Sequence, residues 1–490
     1  MLPFNQNKTT MKALNKILFL FCLLFVVSSC DDALEEEPQN KLKPQTAQDY
    51  NELLNFGYPT TRDYGTQVPL DYYVEMMTDD MDIRYFNQDR LEYPIHPYSF
   101  ETTHEHSSML NGYDQAWKNF YQAIYYANVV VDNIENASGD VGLKNYVKGE
   151  AMVLRAFSYF KLINLYGKPY DANTASTDPG VPLKLDPTVQ AESYTRNSVQ
   201  EIYDQILKDL TEGILLMETN DQRVNSKYKF TPISANLLAS RIALYMENYE
   251  ETIRYATEVI NRNSQLFDLS GNTWEFAQTR WGYGQGTHYL NENNNNVLFL
   301  YGSNEFYSYV FYPGSLALSD DFTSIFEPGD LRYYYFSYVK GPQGRVPFKF
   351  RPFPNRTGEP IRGMRVEEAY LNRAEAYALT GKLGLALDDI NYVRSYKFSS
   401  SFQDDDDYFE YSTEEYSTQE EVVAAVREER RRELFAEFHR WYDLRRYGMP
   451  EIVHEYNNET FILPQGDPRY ILQIPQIELD YNPLMELNPR

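Results

Sequence analysis

Residues 421–447, EVVAAVREERRRELFAEFHRWYDLRRY, constrain the fold more than any other stretch of the chain. Val422, Val426, Leu434, Phe438 and Trp441 recur at helical spacing and make an apolar stripe. The segment therefore reads as one long helix, or two in near succession, with one face against a core. Gly448 and Pro450 stop it. Arg427, Glu428, Glu429, Arg430, Arg431, Arg432 and Glu433 crowd its middle. Glu428, Glu429, Glu433 and Glu437 fall three and four residues from arginines, the spacing at which charges on one helix pair, so internal ion pairs are expected. The stretch is expected to be a brace between helical layers rather than a polynucleotide-binding surface. The formal net charge of −26 points the same way, because a phosphate backbone is held by basic proteins.

Residues 1–29 read as a lipoprotein signal peptide. Lys8, Lys12 and Lys16 form a basic start, Ile17 to Val27 an apolar run too short to span a bilayer, and Val27-Ser28-Ser29-Cys30 a small-residue processing pattern. Met11 is an alternative start. Cys30 is the expected lipidation site, and residues 30–45, which include DDALEEEP, read as an acidic tether. The other cysteine, Cys22, lies inside the signal, so no disulfide, cysteine metal site or thiol nucleophile is expected. The lipid is the only membrane attachment expected.

Residues 46–490 read as a single domain, with a helical scaffold mainly over 114–262 and 365–447 and a loop-rich insert over 263–364. Helices are expected at 46–56, where Thr46 and Asp49 make a cap, and at 114–135, 146–166, 198–215, 231–246, 249–260, 365–379 and 383–396. Asn128 sits on an apolar helix face and should bond a neighbouring helix or backbone. Arg155 lies among apolar residues and needs a carboxylate, expected on the adjacent helix. Helices near 15 residues long, with small residues at their contacts, pair as 146–166 with 198–215, 231–246 with 249–260, and 365–379 with 383–396. The expected fold is all-α: a tetratricopeptide-like scaffold of helical hairpins with an irregular, loop-rich ligand-facing part and minor short strands, one of them at Tyr470 to Ile474.

No phosphate-cradling glycine pattern, HExxH pair or GxSxG elbow occurs. His104 and His106 could touch a metal but have too few converging ligands, and Asp404 to Asp407 lack the alternation of a calcium loop. No catalytic residue, metal or cofactor is expected, although the many acidic pairs leave a surface glycan hydrolase as an alternative. Aromatic side chains are the stronger signal, with 44 tyrosines spread along the chain. The insert holds Trp274, Trp281, Tyr283 and Tyr289, and the loop-like stretch before residue 109 holds Tyr73 and Tyr85. Aromatic faces stack on sugar rings while nearby polar groups bond the hydroxyls, and they suit peptides too. These six are the candidate ligand-binding residues; packing within the insert is the other role open to the tryptophans.

Several stretches then converge: Trp117 to Ile134; Gly149-Glu150-Ala151 through Leu154-Arg155-Ala156 to Tyr166-Gly167; Arg430-Arg431-Arg432-Glu433-Leu434-Phe435 through Asp443-Leu444-Arg445-Arg446-Tyr447-Gly448; and Ile474-Pro475-Gln476-Ile477-Glu478. Together they resemble the SusD/RagB family of outer-membrane nutrient-binding lipoproteins of the Bacteroidetes. The resemblance implies a lipid-anchored protein exposed on the cell outer membrane. It also implies a non-enzymatic role, capturing oligosaccharides, or in some members peptides, for a TonB-dependent, SusC-like outer-membrane transporter. No nucleic-acid partner is implied. Arg155, Arg431, Arg432, Glu433, Asp443, Arg445 and Arg446 belong to the resembling motifs and are expected to be structural. Tyr447 stands where the family usually has tryptophan. The family's ligand residues follow no motif, so the aromatic candidates rest on composition alone.

Overall fold

The computed structural model of the chain describes residues 44–60, 70–83, 95, 98–100, 113–188, 193–220, 222, 226–271, 289–302, 316–339, 344–347, 362–399 and 410–490. Its helices, in chain order, are α1 (Ala47–Leu54), α2 (Tyr113–Asn133), α3 (Val141–Tyr166), α4 (Val199–Thr219), α5 (Pro232–Tyr245), α6 (Tyr249–Arg262), α7 (Asp320–Ser324), α8 (Arg332–Tyr335), α9 (Val366–Leu379), α10 (Leu383–Ser395), α11 (Gln419–Leu434), α12 (Arg440–Arg446) and α13 (Gln476–Tyr481). The strands are β1 (Met81–Ile83), β2 (Val297–Tyr301), β3 (Leu316–Leu318), β4 (Ser337–Val339), β5 (Arg345–Pro347), β6 (Arg362–Arg365), β7 (Ile452–Tyr456) and β8 (Glu459–Leu463).

Side-chain caps decide where the helices begin. At α1 the Thr46 hydroxyl accepts the Asp49 N–H at 3.1 Å, and the Asp49 carboxylate accepts the Thr46 N–H at 2.9 Å. Reciprocal caps of this kind satisfy donors that a helix start leaves unpaired. They recur at Ser198 with Glu201 before α4 and at Thr418 with Glu421 before α11. Asp140 caps α3, which starts at Val141 rather than near residue 146.

The helices pack as serial hairpins: α3 with α4, α5 with α6, and α9 with α10. Neighbouring hairpins meet through α4 on α5 and α6 on α9, while α2 lies along α3 and α11 covers α9 and α10. Glycines set the tightest of these contacts. A Cβ on Gly149 would stand 2.6 Å from the Gly213 carbonyl oxygen, and one on Gly213 2.7 Å from that of Gly149. Arg155 finds its carboxylate across the same contact, with Nη2 2.7 Å and Nε 2.8 Å from Asp209 on α4. Its Nη1 donates to Asn128 at 2.9 Å, and the Asn128 amide donates to the Lys184 carbonyl at 3.1 Å. Both sequence expectations for this pair therefore hold.

The chain leaves the scaffold after α6 and returns at α9, and its two limbs are zipped by β2 pairing antiparallel with β6, Val297 against Arg365 and Tyr301 against Arg362. β1 pairs with β3 and β4 with β5. Beneath β2, Phe230 and Phe299 stack at 4.2 Å with Phe157 and Tyr58 against them. Near the C-terminal end one open alternative is decided and one expectation changes. The 421–447 stretch is two helices, broken where Ala436 and Phe438 take left-handed φ angles of 57° and 65°. No strand forms at Tyr470 to Ile474; Pro468–Tyr470 is a 3-10 turn. The strands are instead β7 and β8, a hairpin whose Asn457 and Asn458 both have positive φ, as a two-residue turn that follows the strand twist requires.

Candidate ligand-facing region and its charged anchor

The arginine-rich helix α11 is buried with its charges. The Glu429 and Glu433 side chains are fully inaccessible, and those of Arg430 and Arg432 are 1% exposed. Burying an ion costs several kcal/mol unless a partner and good hydrogen bonds replace water, and here the partners converge. Arg332 places Nη1 2.7 Å from Glu429 and 3.1 Å from Glu433, and Nη2 2.7 Å from Asp330. Arg365 reaches Glu433 at 3.0 Å and Glu437 at 2.7 Å, with its guanidinium 4.2 Å from the centre of the Tyr289 ring. Arg394 holds Glu327 at 2.7 Å. Burial works against ionising Glu327, but the hydrogen bond and charge of Arg394, helped by Arg432, pull it down to about 2.

The expectation of pairing inside the helix is met only by Arg432, with Glu428 and with Glu429 at 3.0 Å. Most partners come from elsewhere in the chain. Arg430 binds Asp443 at 2.8 Å and Asn372 at 2.8 Å. Arg431 binds Asp80 at 2.6 Å and Asp321 at 2.9 Å, and Arg440 grips both oxygens of Asp79 at 2.7 and 2.8 Å. Asp71 receives Lys161 at 2.6 Å, together with Arg362 and the Tyr442 hydroxyl. α11 and α12 are thus the hub to which residues 70–83, 316–339 and 362–365 are tied.

These tied elements border the stretches singled out for ligand contact. β1 precedes residues 84–94, Tyr289 follows 272–288, and β6 follows 348–361. Tyr85, Trp274, Trp281 and Tyr283 lie outside the described residues, as do His104, His106 and Asp404 to Asp407. The two candidates that are described are not ligand-facing. Tyr289 and Tyr73 are fully buried; the Tyr289 hydroxyl donates to Glu433, and a ring without an open face cannot stack on a sugar. The sequence hid this because a tyrosine that satisfies a buried carboxylate looks the same as one that meets solvent. Buried tyrosines are common here: Tyr98, Tyr146, Tyr159, Tyr166 and Tyr203 are also almost inaccessible. His454 on β7 adds a clamp, stacked 4.0 Å from Tyr98 and 4.7 Å from Phe100, with its ring nitrogens 2.7 Å from the Tyr98 carbonyl and 3.0 Å from that of Thr78.

The remaining motif residues meet at the end of α12. Asp443 accepts from Arg446 at 2.9 Å, and Arg446 also grips Glu375 of α9 at 2.6 and 2.8 Å. Arg445 donates to the Gly167 carbonyl just past α3. Among the described residues, no group of three or more His, Cys, Asp or Glu could hold a metal, and no helix is long and apolar enough to cross a membrane.

Two family models match the chain. One, described as starch-binding associating with outer membrane, matches residues 32–244; the other, described as the SusD family, matches residues 332–490. SusD-like protein P38 of Formosa agariphila is 26% identical over 281 residues, covering 54% of this chain and 49% of that protein. SusD-like protein P25 of the same organism is 23% identical over 334 residues, covering 66% and 58%. The chain spans about half the length of these curated relatives. Among solved structures, a SusD superfamily protein from Bacteroides thetaiotaomicron superposes with a TM-score of 0.71 at 23% identity, over 91% of this chain and all of that one. A SusD-like carbohydrate binding protein from Bacteroides vulgatus superposes with a TM-score of 0.68 at 21% identity, over 90% and 97%. At such identities the structural likeness establishes the fold.

Proposed function

Because the chain belongs to the SusD/RagB family, we propose that it is a lipid-anchored surface protein of the outer membrane. In this reading it captures oligosaccharides and hands them to a TonB-dependent transporter, with no catalytic step of its own. The carrying observation is the aromatic content of the interval between the two family matches. The two matches leave residues 245–331 between them, and that interval holds Trp274, Trp281 and Tyr283. Tryptophan and tyrosine faces are the surface that stacking on sugar rings calls for. Trp281, Tyr283, Trp274 and Tyr85 remain the proposed stacking residues. The descriptions of the relatives, starch-binding and carbohydrate binding, favour a sugar over a peptide. The first match begins just past Cys30, the proposed lipid attachment.

The test is calorimetric titration of the soluble chain from residue 31 against panels of oligosaccharides and of peptides. Saturable binding of an oligosaccharide is the expected result. Binding of peptides alone would move the ligand to the other class known for the family, and binding of neither would contradict the reading.

A further inference from the structure

A cleft of about 890 Å3 opens between the loop over 168–178, the turn joining α5 to α6, and the sides of α11 and α12. Its volume suits a small organic molecule. Part of the charge on its wall is already matched: Lys168 pairs with Asp178 at 2.5 Å, and Arg446 with Glu375 at 2.6 Å. Two guanidiniums are matched only in part or not at all. Arg427 lies over Tyr447, 4.0 Å from the ring centre, and gives its Nε to Glu375 at 3.0 Å. No hydrogen bond engages its Nη1 or Nη2, and the side chain is 33% exposed. Arg445 is 2% exposed; its Nη2 bonds the Gly167 carbonyl, while its Nε and Nη1 have no partner. No carboxylate among the described residues pairs with it. Its neighbours show the difference. Arg430 is buried as deeply and Arg446 is 10% exposed, yet the charges of Asp443 and Glu375 push them above the usual arginine range. Burial without such a partner pulls Arg445 down to about 10.

We propose that this cleft binds a small molecule through a carboxylate group, which Arg427 receives on its open Nη1–Nη2 edge and whose charge offsets that of Arg445 in the wall behind. A planar carboxylate fits the guanidinium fork, and stacking on Tyr447 holds that fork in place before the ligand arrives. Tyr170 and Tyr249, both partly exposed on the cleft wall, offer ring surface to the rest of the molecule. Asp171 and Glu247 line the cleft and are exposed; they repel further negative charge and so favour a single carboxylate over a polyanion. The cleft shares no residue with the aromatic segment assigned to oligosaccharide, and either site can fail without the other.

Calorimetric titration of the chain from residue 31 with sodium glucuronate, N-acetylglycine and glucose tests the assignment. The first two separate an acidic sugar from a peptide end as the source of the carboxylate, and glucose is the neutral control. At least one acid should bind saturably and glucose should not compete with it. Arg427→Gln should weaken that binding by about tenfold, as expected on losing charge-assisted hydrogen bonds. Arg427→Lys should remain weaker than the native chain, because a point charge has no planar edge. Both variants should melt as the native chain does, since Arg446 still holds Glu375. Arg445→Met risks the fold, so the Arg427 pair carries the test. Failure of both acids to saturate, or native affinity in Arg427→Gln, would overturn the proposal.

Discussion

The hub around α11 and the aromatic segment 272–288 differ in chemistry and in the use proposed for each. In the hub, charged side chains are withdrawn from water and matched to one another; Arg332 alone meets Asp330, Glu429 and Glu433. Segment 272–288 carries the tryptophans Trp274 and Trp281 and falls between the two regions that match the family. The hub lies largely within the second of those regions, residues 332–490. The contrast separates what makes the chain fold as its relatives do from what is proposed to make it choose a ligand. The α12 cleft shows a third use of the same residue type. An arginine whose fork is filled by carboxylates within the chain braces the fold, and one with an edge left open can serve a ligand.

The sharpest way to break this comparison is inside the hub. Glu433→Ala removes the carboxylate shared by Arg332, Arg365 and Lys397, and stranding buried charges of this kind costs about 3–5 kcal/mol. Chemical denaturation should show that loss, and a change within error would mean the network is not what holds the layers. Next in size is Gly149→Ala. Its Cβ would meet the Gly213 carbonyl at 2.6 Å, so α3 and α4 must separate at a cost of about 1–3 kcal/mol; a neutral result on thermal melting would show that the contact yields. Smallest is an acid effect at Glu327. Its carboxyl is depressed in the folded chain, so the stability it contributes is present above the ordinary glutamate range and is lost as pH falls toward about 2. Glu327→Gln should flatten the acid limb of a stability–pH curve, and an unchanged limb would remove Glu327 from the account.

Much of the scaffold was legible because local chemistry specifies it. Thr46 with Asp49 and Pro232 at the start of α5 mark helix starts, and the buried Arg155 demanded the carboxylate that Asp209 supplies. What stayed hidden depends on distant parts of the chain. The 421–447 stretch could not announce that its glutamates would answer Arg332, Arg365 and Arg394, since those partners lie far from it along the chain. The break between α11 and α12 rests on left-handed Ala436 and Phe438, residues that rarely adopt that conformation without tertiary packing to impose it. Tyr73 and Tyr289 were mistaken for ligand-facing rings because abundance of tyrosine says nothing about which face is covered. The β7–β8 hairpin carries a local signal in Asn457-Asn458, whereas the apolar run after Arg469 has the composition of a strand without forming one.

One paired titration tests the division of labour most directly: the bound oligosaccharide against Trp281→Ala and Arg431→Ala, each also followed by thermal melting. Loss of the stacking ring should weaken affinity about tenfold, equivalent to about 1.4 kcal/mol, with melting unchanged. Arg431→Ala frees Asp80 and Asp321 and should lower the melting temperature while the folded fraction keeps its affinity. A chain that loses ligand on Arg431→Ala but melts normally, while Trp281→Ala binds as before, would contradict the assignment of hub to fold and aromatic segment to ligand.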